Sequence, residues 1–394
     1  MFAVLSPLRK VLRPVAALAA AGFLAACDPS MMSLPGGAGS GGPTVDPGET
    51  VKVALLVPRS DPSAASIALA IENATRLAIA EAQGARIELA VYDTGGQAGL
   101  AQSQAQRAVD EGAQIILGPL RADAVNAAGV AVRDEGVNVL GFSNNPSIAG
   151  GNVFVLGLTF EDIAGRLMSY ARRQGKQNVA IVYSNDVPGQ FGRTAIEQAA
   201  ARSGIRVIQS EAYDLSIEGV NAAAQRTAAS RGIVDTVIIT PEAQNAATPM
   251  LLQLLPENGL APGAVQYVGL SRWDVKPALF SLPGAEGSWF AVPDSNSQGS
   301  FDQRYRAAYG ETPHPLASLG YDGMTAITQL LRQGRSDALT GGALTRAGSF
   351  RGATGLFRLN ADGTTSRALA VASVRNQQVV IIDPAPTNLG GAGF

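Results

Sequence analysis

The stretch VKVALLV at residues 51–57, followed by PRSD and an Ala-rich segment over 65–81, decides how the chain folds. Six of its seven residues are apolar and do not alternate with polar ones, the pattern of a strand buried on both faces in a helix-covered parallel sheet. The segment behind it carries apolar residues at helical spacing and stops near Gly84. The same unit recurs three times. Apolar runs at 87–92, 114–117 and 137–142 alternate with predicted helices at 98–111 and 122–134, which stop near Gly112 and Gly136. Four βα units in succession predict one Rossmann-like lobe.

The pattern then restarts, with strands predicted at 179–183, 206–209, 236–240 and 266–270. The expected fold class is therefore α/β: two Rossmann-like lobes with parallel sheets and a central cleft. Later segments, helices at 301–309 and 324–333 and strands at 355–359, 368–374 and 378–382, are expected to complete both lobes. That requires the chain to cross between lobes more than once. The expected division is 51–157 plus 293–350 for lobe 1, 158–292 plus 351–384 for lobe 2, and a flexible tail at 385–394.

Composition narrows the function. The 394 residues are 46% hydrophobic and 16% charged, with a formal net charge of −2 that includes Arg9, Lys10 and Arg13 near the start. This is a globular chain without the basic surplus of a nucleic-acid binder, so no nucleic-acid partner is expected. One Cys and one His make no disulfide framework and no Cys/His zinc site, so no metal is expected. Neither a G-x-S-x-G, an H-E-x-x-H nor a Walker sequence occurs, and His314 sits between two prolines. No catalytic residues, no cofactor and no enzymatic activity are expected.

The N-terminus reads as an address. Residues 1–26 combine Arg9, Lys10 and Arg13 with an apolar run of about a dozen residues, too short for the ~20 of a membrane span. Small residues then lead to Cys27. The sequence LAAC at 24–27 resembles a bacterial lipobox, whose Cys becomes lipidated, so Cys27 is the expected lipidation site and membrane anchor. The Gly-, Pro- and Ser-rich residues 27–50 read as a flexible linker with a root-mean-square span of about 25–30 Å.

In open α/β sheets, ligands sit beyond the C-terminal ends of the strands. That rule points to loops 58–66, 93–96, 118–121 and 143–147 of the first lobe and 184–191, 240–245 and 271–274 of the second. Gly118, Leu120 and Arg121 would offer backbone N–H groups at a helix start, and Ser143 and Asn144 side-chain donors, to an anionic ligand. Ser and Asn also cap helices and shape turns, and Arg121 can equally be solvated. Tyr183, Phe191 and Trp273 either cover an apolar ligand or interlock the lobes. Thr240 and Glu242 belong to the same rim. Asp186, Glu242 and Asp322 are the acidic groups an ammonium would need, although each also has a capping or solvated role to fill.

VALLVPRSD (53–61), VYDTGG (91–96), EGAQIILGPL (111–120), VNVLGFSNNPS (137–147) and VFVLGLTFED (153–162) resemble successive blocks of the penicillin-binding protein activators, lipoproteins with a type I periplasmic-binding-protein fold. The resemblance covers about residues 51–383. It implies an envelope lipoprotein that binds and stimulates a class A penicillin-binding protein, regulating peptidoglycan synthesis from the periplasmic face of the outer membrane. Asp28 after Cys27 makes the inner membrane the other expectation. The wider superfamily includes leucine-binding-protein-like receptors, which share segments similar to GYDGM at 320–324. In them, residues like Tyr321 and Asp322 would pair with an ammonium group. The alternative is thus a membrane-tethered solute receptor for amino acids or amides serving an ABC transporter, with a small-molecule ligand in the cleft.

Overall fold

Residues 42–242 and 246–389 are described by the computed structural model. The expected signal segment, Cys27, the expected linker up to residue 41, loop residues 243–245 and residues 390–394 lie outside them.

β1 (Thr50–Val57) is completely buried from Val53 to Val57, because it runs inside a five-stranded sheet with helices on both faces. Its neighbours are β2 (Arg86–Asp93) on one side and β3 (Ile115–Leu117) on the other, followed by β4 (Asn138–Gly141) and β5 (Val153–Val155), in the order β2-β1-β3-β4-β5. All pairings are parallel; Val53, for example, stands opposite both Leu89 and Ile115. The crossover helices are α1 (Ala65–Glu81), α2 (Ala98–Asp110) and α3 (Ala122–Ala131). Gly118, at the end of β3, has φ +84°, and a Cβ there would lie 2.1 Å from the Leu56 carbonyl oxygen, so only glycine lets the chain leave the sheet here.

The second sheet repeats the logic. β6 (Asn178–Ser184), β7 (Arg206–Tyr213), β8 (Thr236–Ile239), β9 (Gln266–Gly269) and β10 (Trp289–Val292) are parallel in the order β10-β9-β8-β6-β7. The helices α4 (Phe160–Arg173), α5 (Val187–Ser203), α6 (Ile217–Ala228) and α7 (Ala247–Glu257) cover its faces. The chain returns to the first lobe for α8 (Ser295–Tyr309), α9 (Ala317–Leu331) and α10 (Gly341–Arg346). A small antiparallel sheet follows, made of β11 (Phe350–Gly352), β12 (Gly355–Leu359) and β13 (Thr365–Arg367). Finally β14 (Ala370–Arg375) and β15 (Gln378–Asp383) extend the second sheet antiparallel to β10. Three segments therefore cross between the lobes: after β5, after β10 and after β13.

The structure differs from the sequence reading at four places. Residues 351–367, expected in lobe 2, belong with lobe 1, because Phe350, Phe357 and Leu359 bury among Val53, Leu55 and Met324. GYDGM lies inside α9 rather than ahead of a helix, which removes the capping role expected of Asp322. The described end of the expected linker is docked: Val45 is 2% exposed in the lobe 1 core, its N–H donates to the Ser336 carbonyl at 2.9 Å, and Gln114 reaches the Thr44 carbonyl. The start of the expected tail is docked too. Leu389 is buried and its carbonyl accepts from Arg358 Nη1 at 2.8 Å.

Candidate functional site

Beyond the C-terminal ends of β3, β4 and β9 a cavity of about 840 Å³ opens between the lobes. Its first wall is Leu120, Arg121 and Ala122 at the start of α3, with Phe142, Ser143, Asn144 and Asn145 after β4. Its second wall is Leu158, Phe160 and Ile163 at the start of α4, with Leu270, Ser271, Arg272 and Val275 after β9. The three crossings contribute Gly157, Pro293 and Leu369, and the segment between α8 and α9 adds Thr312, Pro313, Pro315 and Leu316.

Local sequence explains the shape. Gly157 runs against the backbone of the Ser143 loop, where a Cβ would come 2.4 Å from the Ser143 carbonyl; its own N–H donates to that oxygen at 3.0 Å. The first crossing is thereby laid on the first wall. The Asn145 side chain accepts from Ser147 N at 3.0 Å, and Ser143 Oγ accepts from Asn145 N at 3.1 Å, holding the loop in a turn. Thr159 caps α4 by accepting from Asp162 N at 3.2 Å, which aims Phe160 and Ile163 into the cavity.

Charge at the cavity is largely internal. Arg121 Nη2 is paired with Asp61 and donates to Ser63 Oγ; Asp61 is held below the usual carboxylate range by its hydrogen bonds from Ser63, with Arg121 adding to the effect. Arg272 is bidentate with Asp274, Nε to Oδ1 at 2.7 Å. Arg367 is buried against Asp322. Among the lining residues Asp302 supplies the carboxylate, and it accepts from Gln298 Nε2 at 2.8 Å. Arg367 also borders a smaller polar cavity of about 310 Å³ with Glu161, Asp162, Arg166, Arg358 and Asp362. There burial pushes Asp162 up to about 7, against the opposing pull of Arg367 and Thr159.

Of the residues singled out from sequence, Leu120, Arg121, Ser143 and Asn144 line the large cavity. The others are placed elsewhere. Gly118 is a backbone necessity under Leu56. Tyr183 lies under the Arg193 guanidinium, 5.3 Å from its ring centroid, and Phe191 is exposed on α5. Thr240 is buried beside Gly192, and Glu242, 3% exposed, accepts from Thr248 Oγ1 at 3.1 Å. Trp273, 1% exposed, is core of the second lobe, with Phe290 6.1 Å away ring to ring, so it neither covers a ligand nor interlocks the lobes. Tyr321 faces α1 and α8: its hydroxyl donates to Glu81 and accepts from Arg304 Nη2, and burial pushes it up to about 12. Asp322 is sealed in an ion pair. The sequence reading missed the apolar wall of Phe142, Leu158, Phe160, Leu270 and Leu369. The rule of strand ends names loops: Leu158, Phe160 and Leu369 stand beside the crossings, on which that rule is silent, and Phe142 and Leu270 close the predicted strands 137–142 and 266–270, one residue short of the loops it names.

Several solved structures share this architecture. A branched-chain amino acid ABC transporter periplasmic ligand-binding protein from Burkholderia xenovorans is 18% identical, covering 86% of this chain and 97% of its own, with a TM-score of 0.70. An ABC transporter substrate-binding protein from Desulfitobacterium hafniense in complex with Leu is 19% identical over 85% of this chain and 100% of its own, TM-score 0.64. A solute-binding protein of an ABC transporter from Rhodopseudomonas palustris, in complex with 3,4-dihydroxybenzoic acid, is 20% identical over 85% and 96%, TM-score 0.59. No curated protein sequence matches the chain.

These likenesses correct the function expected from the sequence blocks. The similar structures are transporter substrate-binding proteins with small-molecule ligands, which overturns both the penicillin-binding protein activator reading and its class A penicillin-binding protein partner. The family that matches is one of solute-binding proteins, typically non-enzymatic, and a periplasmic location accords with it. No helix among the described residues is long and apolar enough to cross a membrane. A family model described as periplasmic binding protein matches residues 50–378, and the chain belongs to that family, in its two-lobed type I form.

Proposed function

We propose that the protein is a receptor that captures a small organic solute between its lobes and delivers it to an ABC transporter, held at the membrane through lipid on Cys27. The observation that carries this reading is the cavity of about 840 Å³, walled by both lobes and bordered by all three crossings. That size suits a small-molecule ligand. A rotation about the three crossings would open and close it, as hinge closure does around ligands generally. The lining supports binding rather than catalysis: one carboxylate held by an amide, three arginines each paired to its own aspartate, and many apolar surfaces.

The test is thermal unfolding of the soluble protein against a broad library of amino acids, peptides, sugars, carboxylic acids and amines. A ligand present at 100 times its dissociation constant adds ~2.7 kcal/mol of stability, readily seen as a rise in melting temperature. A rise with one chemical class supports the receptor. Absence of any rise across the library overturns it.

A further inference from the structure

We infer that the solute is an organic cation, an amine with an apolar body and no carboxylate, and that Asp302 of α8 is the residue that selects it. The inference rests on the receptor reading and deepens it. Four charged side chains line the large cavity: Arg121, Arg272, Arg367 and Asp302. Each arginine is balanced by an aspartate that does not line it, Arg121 by Asp61, Arg272 by Asp274 and Arg367 by Asp322. Asp302 makes no ion pair among the described residues, so the lining carries one uncompensated negative charge.

The helix holds this carboxylate in place. Gln298 and Asp302 stand one turn apart on the face of α8 that borders the cavity, and Gln298 Nε2 donates to Asp302 Oδ1 at 2.8 Å. That amide orients the carboxylate without neutralising it, and Oδ2 accepts from no described residue. Arg306, one turn further along, is spaced to pair with Asp302 but donates its Nε to Thr312 Oγ1 at 3.2 Å instead. Closing the lobes over an unpaired carboxylate takes it out of water, which is costly unless a cation enters with it. A protonated amine brings that cation, and its N–H groups supply the hydrogen bond that Oδ2 lacks.

A carboxylate on the solute would meet the opposite situation. All three lining guanidinium groups are spent on aspartates, and the first turn of α3 carries Asp123, whose carboxylate accepts from Ala124 N at 2.9 Å. A zwitterion would balance Asp302 and leave its own carboxylate without a counter-ion, whereas a monocation neutralises the lining. The rest of the solute meets hydrocarbon: Phe142, Leu158, Phe160, Leu270 and Leu369. Two of these are aromatic, and their ring faces also attract cations.

Calorimetric titration with molecules built on one carbon skeleton tests this: 3-phenylpropylamine, 3-phenylpropan-1-ol, 3-phenylpropanamide, 3-phenylpropanoate and L-phenylalanine. A smaller set is 3-methylbutylamine, 4-methylpentanoate and L-leucine. In at least one set the amine is expected to bind at least tenfold more tightly than every other member, about 1.4 kcal/mol. Asp302→Asn removes the charge but keeps the shape and an acceptor for Gln298. Its melting temperature without ligand should therefore stay near that of the parent chain, while its affinity for the amine falls about tenfold. An acid, amide, alcohol or amino acid that binds as tightly as the amine overturns the inference, as does an unchanged amine affinity in Asp302→Asn. If neither amine binds, the broad library decides. An amine found there and weakened by Asp302→Asn supports the inference; a carboxylic acid, sugar, peptide or amino acid found instead leaves the receptor reading standing and overturns this one. If nothing binds at all, both fall.

Discussion

Asp322 and Arg367 form an ion pair across 45 residues of sequence, Oδ2 to Nη1 at 2.7 Å, with side chains 0% and 4% exposed. The carboxylate also accepts from Ala353 N at 2.6 Å and Thr354 Oγ1 at 2.9 Å, and Arg367 Nη2 donates to the Leu156 carbonyl at 2.7 Å. Thr354 in turn gives its carbonyl to Asp294 N. One buried pair thus touches helix α9, the β11–β12 turn and the starts of the crossings at Leu156, Asp294 and Arg367. Its net worth to stability is small if both charges go, and its loss is large if only one goes.

Removing one partner, as in Asp322→Ala, leaves Arg367 buried without its carboxylate. A loss of about 3–5 kcal/mol in denaturant-determined stability is expected. The double variant Asp322→Leu with Arg367→Met should recover part of that loss, though not all, because Arg367 also holds Leu156. A single variant as stable as the parent would show that the pair is not what ties the crossings.

Asp162 gives a pH signature. Its carboxyl is raised from 3.8 to about 7 by burial, so between roughly pH 4 and 7 the folded protein holds a proton that the unfolded chain has released. Its contribution to stability is complete below pH 4 and is lost as pH rises through 7. Asp162→Asn should flatten this part of the stability–pH curve and be more stable than the parent at pH 8, by roughly 1–3 kcal/mol given its partial contact with water. Parallel curves for the two proteins would refute the assignment.

The docked end of the expected linker predicts two outcomes from two truncations. A chain starting at Gly42 should melt where one starting at Asp28 does. One starting at Thr50 loses Val45 from the core and the Thr44 contact to Gln114, and should be less stable by about 1.5–3 kcal/mol, the usual worth of one buried aliphatic side chain. Differential scanning calorimetry of both would show whether residues 42–49 belong to the fold.

Cys27→Ser should move the protein from the membrane fraction to the soluble periplasm, because a single Cys is present and it stands where a lipobox places it. Fractionation with detection of the intact chain checks this. Unchanged membrane association of a correctly processed variant would point to another anchor.

The order of the fold was readable from the chain alone because burial in a parallel sheet leaves continuous apolar runs, and VKVALLV and its successors are such runs. The helices between them were readable from spacing and their stops from glycines: α1 spans Ala65–Glu81, as the pattern predicts. Strand ends then named Leu120, Arg121, Ser143 and Asn144, since in an α/β sheet the geometry of the strand fixes where its following loop emerges. What an apolar run cannot reveal is which distant surface it meets. Phe357 joins Val53 in lobe 1, Trp273 turns into its own lobe, and Asp322 finds Arg367, all through contacts far apart in sequence. The function expected from short blocks erred for a related reason, since blocks that build strand ends recur wherever this fold recurs. Which charges reach the cavity, and which are spent on neighbours behind its walls, was decided by tertiary packing, because a carboxylate's partner is set by a few ångströms of approach.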